Sequence, residues 1–252
     1  MSQKSPRPPQ NKISIAFDRS EAVTWRGRGI VIDLFRFSNT ICALLESGRA
    51  DVRVYANPAL ALAARRQVRD ADIFSEIDLG PGADQYDNSP YTALYGSDPS
   101  RPALSVPNSG SPAAASLLLA DEILVACFAN FPALAAYCLA DPKPTLIVPA
   151  CLFYDSRHVE DMICARALVD ELEGRDTFEQ ALQEIHASGR VLDFIAGRPE
   201  TGKRDMEMAL KKGHMKAVPR IKFKAGAGLV DDAAPAKQPA GPPPAERRKN
   251  EE

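Results

Sequence analysis

Short apolar runs, rich in β-branched residues and too short for buried helices, recur along the chain: ISIAF at 13–17, GIVIDL at 29–34, VRVY at 52–55, ALSV at 103–106, ILVA at 123–126 and TLIVP at 145–149. Stretches of helical period lie between them. One helix is expected from Ser38 or Asn39, read as its cap, to about Ser47, with Gly48 just past its end. Others are expected over 58–69, from a Ser111-Pro112 cap onward, and over 130–139, 158–172, 178–187 and 191–196, with a final strand at 218–223. Strands alternating with helices need crossover connections, and crossovers lay helices over both faces of a sheet. The pattern predicts an α/β fold: one domain over residues 13–223, three-layer α/β/α, with a largely parallel or mixed sheet. Residues 70–101, dense in turn signals (GPG, DNSP, GSDPSRP), are expected to form a long functional loop.

Charge and cysteine usage remove several function classes. Lys and Arg number 31 against 33 Asp and Glu, a net charge of −2, so nothing marks a nucleic-acid partner. No apolar run approaches the roughly 20 residues of a membrane-spanning helix, and residues 1–12 (MSQKSPRPPQNK) carry no apolar signal core. Cys42, Cys127, Cys138, Cys151 and Cys164 are scattered, odd in number and set among apolar residues. They suit buried thiols in a reducing cytoplasm, not a disulfide frame or a zinc site. Residues 1–12 and 224–252, the latter rich in Pro, Ala and charge, are expected to be disordered ends that cannot bury enough apolar surface to offset their ordering entropy. A cytoplasmic enzyme, a small-molecule binder and an interaction domain remain, with homo-oligomerisation left open.

In an open parallel sheet, ligands bind beyond the carboxyl ends of the strands, where helix N-termini converge. Asp33, Arg36 and Ser38 follow the run at 29–34; Asn108 and Ser109 follow 103–106; Asn130 follows 123–126. Glu160 and Asp161 come after 145–149, and Glu76, Asn88 and Ser89 lie in the turn-rich stretch. Acids, an arginine and small polar residues together suit a small anionic substrate with a hard cation such as Mg²⁺. Plainer roles stand beside these: Asn and Ser as caps, Glu160 and Asp161 as first-turn acids favoured by the helix dipole, Asp33 as a structural partner of Arg36, His158 as a surface histidine. Cys151 and Arg157 have the C-x5-R spacing of a cysteine phosphatase but no glycine between them, which argues against that chemistry.

These segments carry a resemblance. Ile32-Asp33-Leu34-Phe35-Arg36-Phe37-Ser38-Asn39-Thr40 is similar to the D-V-L-R-A-T-T-T segment of the 2-phosphosulfolactate phosphatase family, the ComB-type enzymes. Asp87-Asn88-Ser89-Pro90 resembles its G-N-S-P, the turn from Asn108 to Ser111 its T-x-N-G-T, and Val159 to Ala165 its E-D-x-x-x-A-G. Asn130 falls on the family Asn after a strand, and Ser188 to Leu192, Asp205 and Val218-Pro219 resemble its C-terminal pattern. The resemblance spans about residues 13–223. It implies a magnesium-dependent phosphatase acting on the phosphate monoester of a small 2-hydroxy acid, chiefly 2-phosphosulfolactate on the route to coenzyme M. On this reading Asp33, Arg36, Glu160 and Asp161 are catalytic, and Asp33, Glu76 and Asp161 hold Mg²⁺. Ser38, Asn88, Ser89, Asn108, Ser109 and Asn130 touch substrate.

Some positions depart from that pattern. Phe37-Ser38-Asn39 replaces Ala-Thr-Thr, Ser75-Glu76-Ile77 replaces G-E-R, Asp87 stands in place of Gly, and Ala165-Arg166 in place of Ala-Gly. A lost arginine and an added carboxylate make the site less welcoming to a trianion. Either the substrate differs, or the chain is a catalytically weakened homologue that binds an anionic metabolite or a protein partner.

Overall fold

A computed structural model describes residues 12–68, 70–80 and 85–234. Among these residues ten strands form one sheet: β1 (Ile13–Ile15), β2 (Arg28–Ile32), β3 (Val52–Val54), β4 (Asp72–Ser75), β5 (Gln85–Tyr86), β6 (Ala103–Val106), β7 (Glu122–Ala126), β8 (Thr145–Pro149), β9 (Pro219–Lys224) and β10 (Ala227–Asp232). The helices are α1 (Arg19–Thr24), α2 (Phe37–Glu46), α3 (Pro58–Gln67), α4 (Gly110–Ser116), α5 (Phe131–Ala140), α6 (Val159–Leu172), α7 (Phe178–Ala187), α8 (Arg190–Gly197) and α9 (Gly202–Ala209). Every residue of β2, β7 and β8 is buried. That is the pattern of strands covered on both faces, and it is why they read as unbroken apolar runs. Farther along the sheet the faces separate. Ile73, Leu104 and Val106 enter a small core with Ala61 of α3, while Phe74 and Ala103 turn the other way into the main core. The architecture is the expected three-layer α/β fold.

The strand order is β1-β8-β2-β7-β9-β10-β3-β6-β4-β5. β1, β8, β2 and β7 pair in parallel, as do β3, β6, β4 and β5. The hairpin of β9 and β10 lies between the blocks and pairs antiparallel with both. The two blocks therefore have opposite nominal sense. Five pairings separate β2 from β6, and at about 20–25° of twist each they rotate one block against the other by roughly 100–125°. This lets the carboxyl ends of both blocks meet at one cleft.

The structure corrects several expectations. Residues 70–101 are not one long loop: they contain β4, β5 and a wide helical turn over Thr92–Gly96. Asp72 made β4 look polar, but its carboxylate is buried 2.7 Å from Arg49 Nη2. α2 begins at Phe37, so Ser38 and Asn39 lie inside its first turn and do not cap it. Asp33 supplies the acceptor there, taking the Phe37 N–H at 3.3 Å, while Ser38 Oγ accepts the Asp33 N–H at 2.9 Å. α4 starts at Gly110 instead of following a Ser111 cap, and Ser111 Oγ donates to the Tyr55 carbonyl at 2.8 Å.

The C-terminal boundary moves as well. Residues 227–232, expected within a disordered tail, form β10 in the middle of the sheet. Ala225 (φ 50°) and Gly226 (φ 81°) make the two-residue turn, both left-handed as a tight hairpin requires. The rest of that expected tail, 235–252, and residues 1–11 lie outside the described residues. Among the described residues no helix is long and apolar enough to cross a membrane.

Gly110 shows how closely α4 meets α2. A Cβ there would fall 2.2 Å from Phe37 Cδ1, and Phe37 is fully buried. Gly110→Ala should therefore cost about 1–3 kcal/mol of overpacking, measured as a lower Tm. An unchanged Tm would show that the contact yields freely.

Candidate active site

Asp33 follows the last residue of β2 and is almost fully buried. Its Oδ2 accepts a hydrogen bond from Ser109 Oγ at 2.7 Å. Next to Ser109, the Asn108 N–H donates to Glu76 Oε2 at 3.2 Å. Next to Asp33, the Leu34 N–H donates to Asp161 Oδ1 at 2.8 Å. The ends of β2, β4 and β6 and the start of α6 are thus joined by one run of contacts, Glu76 to Asn108-Ser109 to Asp33-Leu34 to Asp161. The four acids expected from sequence are neighbours: Glu76 and Glu160 act on Asp33, and Asp33 and Glu160 act on Asp161.

A cleft of about 210 Å³ opens above them, lined by Glu76, Asn108, Ser109, His158, Arg190 and Arg198, with Phe35, Tyr154, Asp193 and Phe194 completing the wall. Asp33 and Glu160 sit behind this lining, attached to it through Ser109 and Arg190. Glu160 is held bidentately by Arg190, Nε and Nη2 each at 2.9 Å.

Burial, then Glu76, pushes the Asp33 carboxyl up to about 7 against the opposing hydrogen bonds from Ser109 and Phe37. Burial, then Asp33, carries Asp161 well above the ordinary range despite N–H bonds from Leu34 and Cys151. Burial lowers His158, and Arg190 lowers it further, so its ring is neutral at pH 7. Burial and then Asp161 push Cys151 up to about 12, which leaves a thiol and no thiolate nucleophile.

Arg36 belongs to a different network. It is fully buried, and its partners are not Asp33 or the cleft. Nη1 and Nη2 donate to both oxygens of Asp87 at 2.8 and 2.6 Å, and Nη1 also donates to Asp205 Oδ2 at 2.7 Å. Ser89 Oγ, expected to touch substrate, donates to Asp205 Oδ1 at 2.6 Å. Asn130 spends its amide on the main chain, accepting from Cys127 N and donating to the Val125 and Ala217 carbonyls. Ser38 is likewise buried beneath Asp33. Of the expected substrate contacts, Asn108 and Ser109 line the cleft and Asn88 lies next to it.

The donors suit a hard cation with a few protein ligands. Among the described residues no three His, Cys, Asp or Glu side chains form a ready-made cage. Mg²⁺ needs none, since it usually binds one or two carboxylates and keeps waters or substrate oxygens. Asn88 supports the fit. Its Nδ2 donates to Glu76 Oε1 at 3.2 Å, and its Oδ1 is buried without a partner among the described residues. An orphaned amide oxygen next to a carboxylate is a pair of hard oxygen donors.

Sequence reasoning missed Arg190, Phe194 and Arg198 as cleft residues and assigned His158 to the surface. A signal was present: positions 190, 194 and 198 are four apart, one face of a helix carrying two guanidinium groups about an aromatic ring. Over residues 17–223 the chain matches the family described as 2-phosphosulpholactate phosphatase. No curated protein matches it.

Proposed function

Since the chain belongs to the 2-phosphosulpholactate phosphatase family, we propose that it hydrolyses the phosphate monoester of a small 2-hydroxy acid of the 2-phosphosulfolactate kind in the cleft above Asp33. The observation that carries this reading is the bonded run from Glu76 through Ser109 and Asp33 to Asp161. It gathers acids from distant parts of the chain under one opening. Phosphoryl transfer needs positioned charge more than covalent chemistry.

Of the three acids expected to hold Mg²⁺, Glu76 and Asp33 would do so with the Asn88 amide oxygen beside Glu76, and Asp161 would orient the Leu34 main chain behind them. When bound, the ion supplies neutralisation of charge on the phosphoryl oxygens. The other roles fall to the chain itself. The Ser109 hydroxyl and Phe37 N–H fix the Asp33 carboxyl, and the Leu34 N–H fixes Asp161. Neutral His158 lines the cleft and can take a proton from the attacking water. Arg190 offsets the buried charge of Glu160. Arg36 acts at a distance, by holding Asp87 and Asp205 in place.

Phosphate release from a panel of phospho-hydroxy acids tests the proposal. Turnover should vanish in chelator and return with Mg²⁺; an inert protein across the panel would overturn the assignment. A second reading, a weakened homologue that binds an anionic metabolite or a protein partner, is favoured by one observation: Asp87 takes up the guanidinium of Arg36. Calorimetric binding of the hydroxy acid without turnover would support it.

Metal binding has a readout apart from activity. The folded-state pKa of Asp33 lies near 7, above its ordinary 3.8, so the folded chain holds the extra proton between those values. The stability this contributes is complete below 3.8 and is lost as pH rises through about 7. A cation competes with that proton. Mg²⁺ should raise Tm more at about pH 8 than at about pH 5, and equal shifts would remove Asp33 from the metal site.

A further inference from the structure

Among the described residues, Arg36, Arg190 and Arg198 bring guanidinium groups to or near the cleft, and the first two are occupied. Arg36 is bonded to Asp87 and Asp205, and Arg190 to both oxygens of Glu160. Arg198 differs. Its side chain is 34 % exposed and lines the cleft with Glu76, Asn108 and Ser109. Among the described residues its guanidinium makes no hydrogen bond, and the one carboxylate oxygen within 4 Å is Asp87 Oδ2, 3.8 Å from Nε. It is nevertheless not a loose surface arginine. Its Cζ lies 4.4 Å from the centroid of the Phe194 ring, one turn earlier on α8, which holds the planar fork in place. Burial and then the nearby Arg36 charge lower its pKa, against the smaller opposing pull of Asp87, Glu76 and Asp205. Asp87 relieves it only in part, because both Asp87 oxygens already accept from Arg36.

We propose that Arg198 binds the non-reacting anionic group of the substrate, a carboxylate or sulfonate on the carbon skeleton that bears the phosphate, and so selects which phosphate esters the cleft accepts. The proposal rests on the phosphatase reading above. A guanidinium fork presents parallel N–H donors that match two oxygens of either group. On that reading the phosphoryl end would sit at the cation that Glu76 and Asp33 would hold, leaving Arg198 for the other end of a short molecule.

The test compares the full chain with Arg198→Gln and Arg198→Lys on two esters, a 2-phospho-hydroxy acid and a phosphate monoester with an uncharged tail. Arg198→Gln should raise KM for the first about 10- to 100-fold more than for the second, the worth of a lost charge-assisted hydrogen bond, with kcat changing less than KM. Arg198→Lys should recover part of that selectivity. Equal losses on both esters, or none on either, overturn the proposal and leave the phosphatase reading standing. Calorimetry with sulfolactate separates the two failures. Binding by the natural chain that Arg198→Gln abolishes upholds the anion site even without turnover of any ester, and no binding by the natural chain overturns it.

Discussion

If the proposed function holds, Asp33→Asn should lower phosphate release by about 10²- to 10⁴-fold, the range for removing a positioned catalytic carboxyl, and the protein should stay folded. The expectation rests on where the carboxyl sits. Ser109 and Phe37 already fix its two oxygens, and an amide keeps the shape and an acceptor for the Phe37 N–H. What the substitution removes is the charge that Glu76 and burial make costly. The variant should therefore be at least as stable as the natural chain near neutral pH while losing turnover. Steady-state phosphate assays beside thermal melts check both halves. Activity within a few-fold of the natural chain would take Asp33 out of the reaction.

Asp205→Ala should be the most destabilising single change at the site. Arg36 and Asp205 are both fully inaccessible, 2.7 Å apart. Breaking a buried ion pair from one side costs about 3–5 kcal/mol when the charge is left alone, and here it leaves Arg36 to the half-buried Asp87, so the loss should approach that range from below. Asp205 also accepts from Ser89 Oγ and the Tyr91 N–H, so its loss frees the segment that carries Asn88 toward Glu76. Denaturant melts should show a large fall in midpoint. Arg36→Met combined with Asp205→Leu should recover part of it, because apolar packing suits a buried site better than a guanidinium left with one of its two carboxylates. If Asp205→Ala alone leaves the midpoint unchanged, water reaches Arg36 and the pair is not structural.

Much of this arrangement is legible from the chain alone, for physical reasons. β6, β8 and α7 fall on the residues read as strand and helix, because uniform burial writes an unbroken apolar run and an amphipathic helix writes a period. Asp33, Glu76, Glu160 and Asp161 stood out as acids near strand ends, and the fold brings them together. Arg36 misled because sequence shows a charge but not its partner. Asp87 and Asp205 lie 51 and 169 residues away, and pairing at that separation leaves no local signal. Ser89 and Asn130 misled in a similar way: a small polar residue before a helix looks alike whether it meets a ligand, a distant carboxylate or the main chain. β10 was hidden because Leu229 and Val230 are a short apolar pair inside a Pro/Ala-rich composition.

The central hairpin has a consequence for biosynthesis. The strands on either side of it emerge from the ribosome early, yet residues 219–232 that bridge them come last among the sheet's strands. Until they are made, β7 and β3 each present an open row of main-chain donors and acceptors, the kind of edge that invites association between nascent chains. The candidate cleft is assembled from both sides of that seam, so chaperone demand and acquisition of any activity should both track the final insertion step.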